Sequence, residues 1–186
     1  MANKDAAFGL KAIGKVGQNR DNQGLSEYSI AASSTAIYQN DPVKMANTGE
    51  VEVAAAGDVL LGALTGVFFT DASTSKPTYA NHLKASNTAT DIVGFIADDP
   101  YERFEVQSAG TVSQTNIGNC ADISYTAGSS PNFVSKVEAS GTMAASAAQL
   151  KIIGVSKDPD NNELGAANAN VVVTINEHFM KQEAGI

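Results

Sequence analysis

The sequence has no tryptophan, one cysteine and two histidines. Cys120 alone cannot form an intrachain disulfide, and among the small and apolar residues of NIGNCADISY it reads as a buried, inert thiol. One cysteine and two distant histidines make a poor zinc ligand set, so no metal or other cofactor is expected. No apolar run reaches the length of a membrane span, and MANKDAAFGL lacks the hydrophobic stretch of a signal peptide. The expectation is therefore synthesis in a cytoplasm and no membrane partner. Aromatic residues make up 6% of the chain. Small residues (Ala, Gly, Ser, Thr, Asn) recur instead, which favours short strands, many turns and thin core layers.

Positive charge is also scarce: the 186 residues carry a net −8. It is unevenly placed. Lys4, Lys11, Lys15 and Arg20 against Asp5 give the first twenty residues +3, so the other 166 carry −11. An acidic body argues against nucleic-acid binding, because phosphate contact needs a basic surface. A basic arm on an acidic body suits docking onto an acidic protein surface, such as a neighbouring copy of the same chain.

What is present reads as all-β. Residues 1–35 show no sustained period; Gly9, Gly14, Gly17 and Gly24 interrupt any helix, and the segment is expected to be an extended N-terminal arm. Its isolated apolar residues Phe8, Leu10, Ile13 and Val16 would serve as pegs into a partner. From Ala36 the texture changes to strands and turns. Val51 and Val53 alternate with Glu50 and Glu52, and Phe104 and Val106 alternate with Glu105 and Gln107. Strands are also expected at 36–39, after the Asn40–Pro42 turn, in CADISYT, SKVEA and LKIIGVS, and in VVVTINEHF with Val171, Val173 and Ile175 on one face. A polar loop is expected over 71–90 and a helical turn at 145–149. About ten or more short strands without a long helix describe a β-barrel or β-sandwich. The body would span 36–186, as one unit or as a smaller lobe 36–90 and a larger lobe 91–186.

No motif in the chain carries catalysis. Gly9-x-x-x-x-Gly14-Lys15 matches most of a phosphate-binding P-loop, but Val16 stands where a magnesium-binding hydroxyl is required. The flanks ANKDAAF and GQNRDNQG supply neither the preceding strand nor the following helix. His82 falls in the polar loop, and His178 follows the last strand, where a solvent-facing side chain is the ordinary expectation. Neither accompanies a nucleophile motif, so an enzyme is not expected. Asp158, Asp160 and Asn162 are spaced like the start of a calcium loop, yet Glu163 replaces the required glycine and no closing glutamate follows. An acidic hairpin loop explains them as well. Asp98, Asp99 and Glu102 form the densest acidic cluster, readable as a solvated turn or as a patch that receives the basic arm of another subunit.

The order of segments adds a resemblance. A glycine-punctuated arm leads into AIYQNDPVKM, AAAGDVLLGALTGVFFTD and DIVGFIADDPYERFEVQSAG, with LKIIGVSKDPDNNELG and NVVVTINEHF near the end. Over nearly the whole chain this resembles the head decoration, or cement, proteins of tailed bacteriophages, especially marine and cyanobacterial short-tailed phages. The resemblance implies a virion protein that adds to the outer surface of the assembled capsid, stabilises it, and grips the major capsid protein with an extended arm. It also implies a homo-oligomer, a dimer or trimer, without catalytic residues. On this sequence the gripping residues would be Phe8, Leu10, Lys11, Ile13, Lys15, Val16 and Arg20. The rival reading is a β-sandwich adhesion module that binds a host glycan or receptor through the 71–90 loop, where Tyr79 alone offers an aromatic face for a sugar.

Overall fold

The structure is a computed structural model that describes residues 2–17, 24–32, 34–144 and 147–181. Among the described residues the chain runs β1 (Lys11–Lys15), β2 (Ser26–Ser29), β3 (Pro42–Met45), β4 (Val51–Val53), β5 (Gly62–Thr70), β6 (Pro77–Ala80), β7 (Val93–Ala97), β8 (Glu102–Gln107), β9 (Cys120–Ser124), β10 (Glu138–Ala144), β11 (Leu150–Val155) and β12 (Asn170–Ile175). Single 3₁₀ turns lie at Gln114–Asn116 and Phe179–Lys181.

These strands make two antiparallel sheets packed as a sandwich, and the sheets do not close into a barrel. The first has the order β1-β8-β12-β11-β9-β10; the second has the order β2-β7-β5-β3-β4, with β6 added against β5. Thus β2 to β7 build one sheet and β8 to β12 the other, with the turn at 98–101 between them. Only β1 sits in the sheet of the later strands.

The alternation of apolar residues sets which face each strand buries. Phe104 and Val106 on β8 and Val171, Val173 and Ile175 on β12 are fully buried, and Val51 is buried beside exposed Glu52. The core falls into two clusters. One gathers the inner face of the first sheet with Leu10 and with Ala63 and Ala97 of the second. The other joins Val67, Phe69 and Ile96 of the second sheet to Ile37 and Leu83, which lie outside its strands. Small side chains let the sheets approach closely. A Cβ at Gly62 would stand 2.1 Å from the Ala97 carbonyl oxygen, so this position requires glycine.

Several local expectations change. The strand at 36–39 is reduced to single bridges, Ile37 with Leu83 and Gln39 with Val134. The 71–90 loop contains β6, because the Asp71–Ser75 turn folds Pro77–Ala80 back onto Val67–Thr70 as a hairpin. β10 begins three residues later than SKVEA suggests. Of the helical turn expected at 145–149, residues 145 and 146 lie outside the described residues, and 147–149 are not helical.

Candidate functional site

The first residues are extended, as expected, but they are not free. Residues 2–10 lie across the body as a strap and lead into β1, which pairs with β8 at the edge of the first sheet. The strap has no side-chain period because buried amides grip its backbone. Gln107 Nε2 donates to the Lys4 carbonyl (2.8 Å) while its Oε1 accepts the Ala6 N–H (2.9 Å). Asn161 Nδ2 also donates to the Lys4 carbonyl (2.7 Å). Asn3 donates to the carbonyls of Glu163 and Ala167 and accepts the Glu163 N–H. Asn40 Nδ2 donates to the Phe8 carbonyl (3.0 Å), and the Leu10 N–H donates to the Asn40 carbonyl (2.8 Å). At Gly9 the chain turns with φ +75°, and a Cβ there would stand 2.4 Å from the Asn40 carbonyl oxygen and 2.5 Å from Ser135 Cβ.

These contacts divide the predicted arm residues. Leu10 is fully buried and belongs to the core of its own chain, so it cannot act as a peg into a partner. Phe8 is half-buried beneath the Asn40 bond. The Lys15 ammonium meets Asp99 at 2.6 Å, which holds the Asp99 carboxyl below its ordinary range and raises Lys15. Lys4 pairs with Asp160. Lys11, 59% exposed at its side chain, stands a loose 4.0 Å from Glu105. Ile13 (40% exposed) and Val16 (51%) face solvent. Arg20 lies outside the described residues.

The acidic patch is likewise engaged inside the chain. Asp98 accepts the Ser26 hydroxyl (2.9 Å) and the Tyr28 hydroxyl (2.6 Å). Burial and Asp98 together push the Tyr28 phenol up to about 12. Asp99 takes Lys15. Glu102 is buried and its Oε1 accepts the Gly14 N–H (3.1 Å); burial raises its carboxyl, while that bond and Lys15 oppose the shift. The basic arm and the acidic patch do meet, but within one molecule.

Other candidates resolve into structure. Asp160 is occupied by the Lys4 ammonium, and among the described residues no group of three or more His, Cys, Asp or Glu gathers to hold a metal. Cys120 is buried, as expected. His178 is fully buried rather than solvent-facing, because the chain after β12 folds back and bridges Leu60. Its Nδ1 accepts the Met180 N–H (3.0 Å), which leaves the proton on Nε2, and burial pushes the imidazole down to about 4. His82 stacks on Phe133 with centroids 3.9 Å apart, and its Nδ1 faces Asn81 Oδ1 at 3.0 Å. It lines a cleft of about 480 Å³ that also holds Asp71, Lys84 and Ser86. Asp71 is committed elsewhere: its Oδ1 accepts N–H and hydroxyl donors from Ser73 and Thr74, which bring its carboxyl down to about 2. No acid–base pair forms there.

The residues that build the strap, Asn3, Asn40, Gln107 and Asn161, escape a search for charged or nucleophilic motifs. Gln107 is the last residue of the β8 alternation, on its polar side, and nevertheless is buried. Its amide replaces the water that the Lys4 and Ala6 backbone groups would otherwise need.

Part of the exposed apolar surface lies at and near β1. Beside Ile13 and Val16 are Tyr101 (64% exposed), whose carbonyl accepts the Val16 N–H, and Met180 (50%), next to Lys181, whose ammonium lies 5.2 Å from the centre of the Tyr101 ring. Leu25 (43%) shares a groove of about 260 Å³ with Lys11 and Ala12. The fold and this surface define an all-β sandwich with a strapped edge strand and an apolar rim. No protein-family model, curated protein or solved structure matches the chain, which leaves this geometry to carry the functional reading.

Proposed function

We propose that the protein is a phage capsid decoration protein that binds the outer surface of the assembled major-capsid-protein shell through β1 and the apolar rim around it. The observation that supports this most is the exposure of Lys11, Ile13 and Val16 on and just after the edge strand β1, with Tyr101 hydrogen-bonded to Val16 and Leu25 across the groove from Lys11. An edge strand offers unpaired backbone groups to an added strand, and exposed apolar side chains beside it fix the register of such a contact. The strap holds that edge in place before binding, so little ordering entropy is lost on attachment. Many weak contacts repeated over a shell, or within a dimer or trimer of the protein, act together through multivalency. In this reading the protein resides on the virion surface, and its site consists of attachment residues.

The test uses purified undecorated capsids and the double variant Ile13→Asp/Val16→Asp. Both side chains are solvent-facing, so the variant should keep the wild-type melting temperature while its capsid affinity falls by at least about tenfold. Unchanged affinity would overturn the assignment of the surface. Deleting the whole arm is a poor test, because it removes Leu10 from the core and β1 from the sheet.

A further inference from the structure

The outward face of the second sheet carries a second exposed cluster, and it is aromatic. Val67, Phe69 and Ile96 point into the core, so by alternation Phe68 on β5 and Phe95 on β7 point outward. Tyr79 on β6 is paired directly with Phe68 and is 75% exposed. The Phe68 and Tyr79 ring centroids are 4.7 Å apart; those of Tyr79 and Phe95 are 6.3 Å apart, with their planes within 14° of parallel. Gly66, the cross-strand partner of Phe95, adds no side chain between them.

We propose that Tyr79, Phe68 and Phe95 form a stacking platform for a neutral polysaccharide. A cross-strand aromatic pair stabilises a hairpin, and Phe68 with Tyr79 does so. That role does not account for Phe95, one strand further on, or for a tyrosine left three-quarters open. The platform is too small for a protein partner. Three partly exposed rings present roughly 300 Å² at most, whereas a stable protein interface needs about 800 Å² on each side. Its chemistry suits a sugar: the electron-rich ring faces receive the C–H face of a pyranose, and the rim supplies hydroxyl-binding groups. The rim consists of Thr65, exposed beside Gly66, Glu27, paired with Phe95, and Ser29, paired with Val93. Glu27 and the net charge of −8 disfavour an anionic polymer. An open sheet face, unlike a pocket, admits a chain that passes across it. This places a glycan contact on an open sheet face, to which the 71–90 segment contributes Tyr79 of β6, and it does not rest on the capsid reading, although Thr65 also lines the groove beside Leu25 and Lys11.

Affinity electrophoresis through gels that contain hydroxyethyl cellulose, a soluble β-1,3-glucan, a galactomannan or the anionic polymer alginate tests the proposal. The wild-type chain should be retarded in at least one neutral gel. Tyr79→Ala should lose that retardation, with an association constant lower by about tenfold, and Tyr79→Trp should keep it. The exposure of Tyr79 keeps both variants folded, which matching melting temperatures would verify. Three results would overturn the platform: retardation in no neutral gel, retardation unaltered by Tyr79→Ala, or retardation by alginate alone. Sedimentation of wild type and Tyr79→Ala adds one more, since an oligomer that dissociates with the variant would make the aromatic face a contact between copies.

Discussion

Two buried ionisable side chains oppose each other in their response to pH. Asp41 is fully buried; its Oδ2 accepts the Tyr38 N–H (2.8 Å) while Oδ1 lacks a well-aligned donor, and the nearby Ser135 hydroxyl and the Tyr38 N–H favour its charge less than burial opposes it. Burial pushes its carboxyl up to about 6 from an ordinary 3.8. The folded state therefore binds this proton more tightly than the unfolded chain does. The resulting stability is present below pH 3.8 and lost as pH rises through about 6. His178 runs the other way: its folded value of about 4 lies below the ordinary 6.5, so between those values the unfolded chain binds more protons. Its contribution is complete above pH 6.5 and lost as pH falls towards 4. Each is worth on the order of 3 kcal/mol at the extremes. The wild-type chain should show a shallow stability profile between about pH 4 and 6, where the two slopes offset. Asp41→Asn should leave stability rising with pH across that window, and His178→Gln should leave it falling. Urea unfolding at several pH values reads both slopes, and parallel profiles for all three proteins would refute the assignment.

At the scale of the element, the strap is the unit that deserves perturbation. Leu10→Ala removes a fully buried side chain and should cost about 2–5 kcal/mol. Gln107→Ala leaves the Ala6 N–H without its acceptor and takes from the Lys4 carbonyl one of its donors, and should cost roughly 1–3 kcal/mol by thermal or urea unfolding. The two changes act through one segment, so their double variant should cost less than the sum. Full additivity would mean that residues 4–10 do not dock as a unit. The elements differed in how legible they were from sequence. β8 and β12 were legible because one face of each is buried and the period of two is written in Phe104, Val106, Val171 and Val173. β1 was not: Lys11–Lys15 is an edge strand with a bulge between Ala12 and Gly14, so neither face imposes a pattern on it. β6 was hidden for the same reason, since PTYA is an edge strand among polar turns. The site was half legible. Ile13, Val16 and Lys11 could be named as exposed residues of the first segment, but nothing local marks Leu10 as core or Lys15 as already paired, because Leu10 packs in a cluster that runs from Ala54 to Ile175 and Lys15 pairs with Asp99.

For the whole molecule, the internal pairing of charge shapes how it would attach. Two of the arm's cations are paired at home, Lys4 with Asp160 and Lys15 with Asp99, and among the described arm cations Lys11 is the loosely paired one, 4.0 Å from Glu105. Attachment through the β1 rim is then mainly apolar, and raising salt from about 50 to 500 mM should weaken capsid binding by no more than about threefold. A steep loss with salt would transfer the contact to a charged surface. The strap has a further consequence, in time rather than in space. Lys4 is held by Asn161, a partner 157 residues later in the chain. On a translating ribosome the earliest-made segment must wait, undocked, until the loop that receives it emerges. The strap in that sense closes on the sandwich late although it is made early, and its full grip exists only once the chain has passed Asn161.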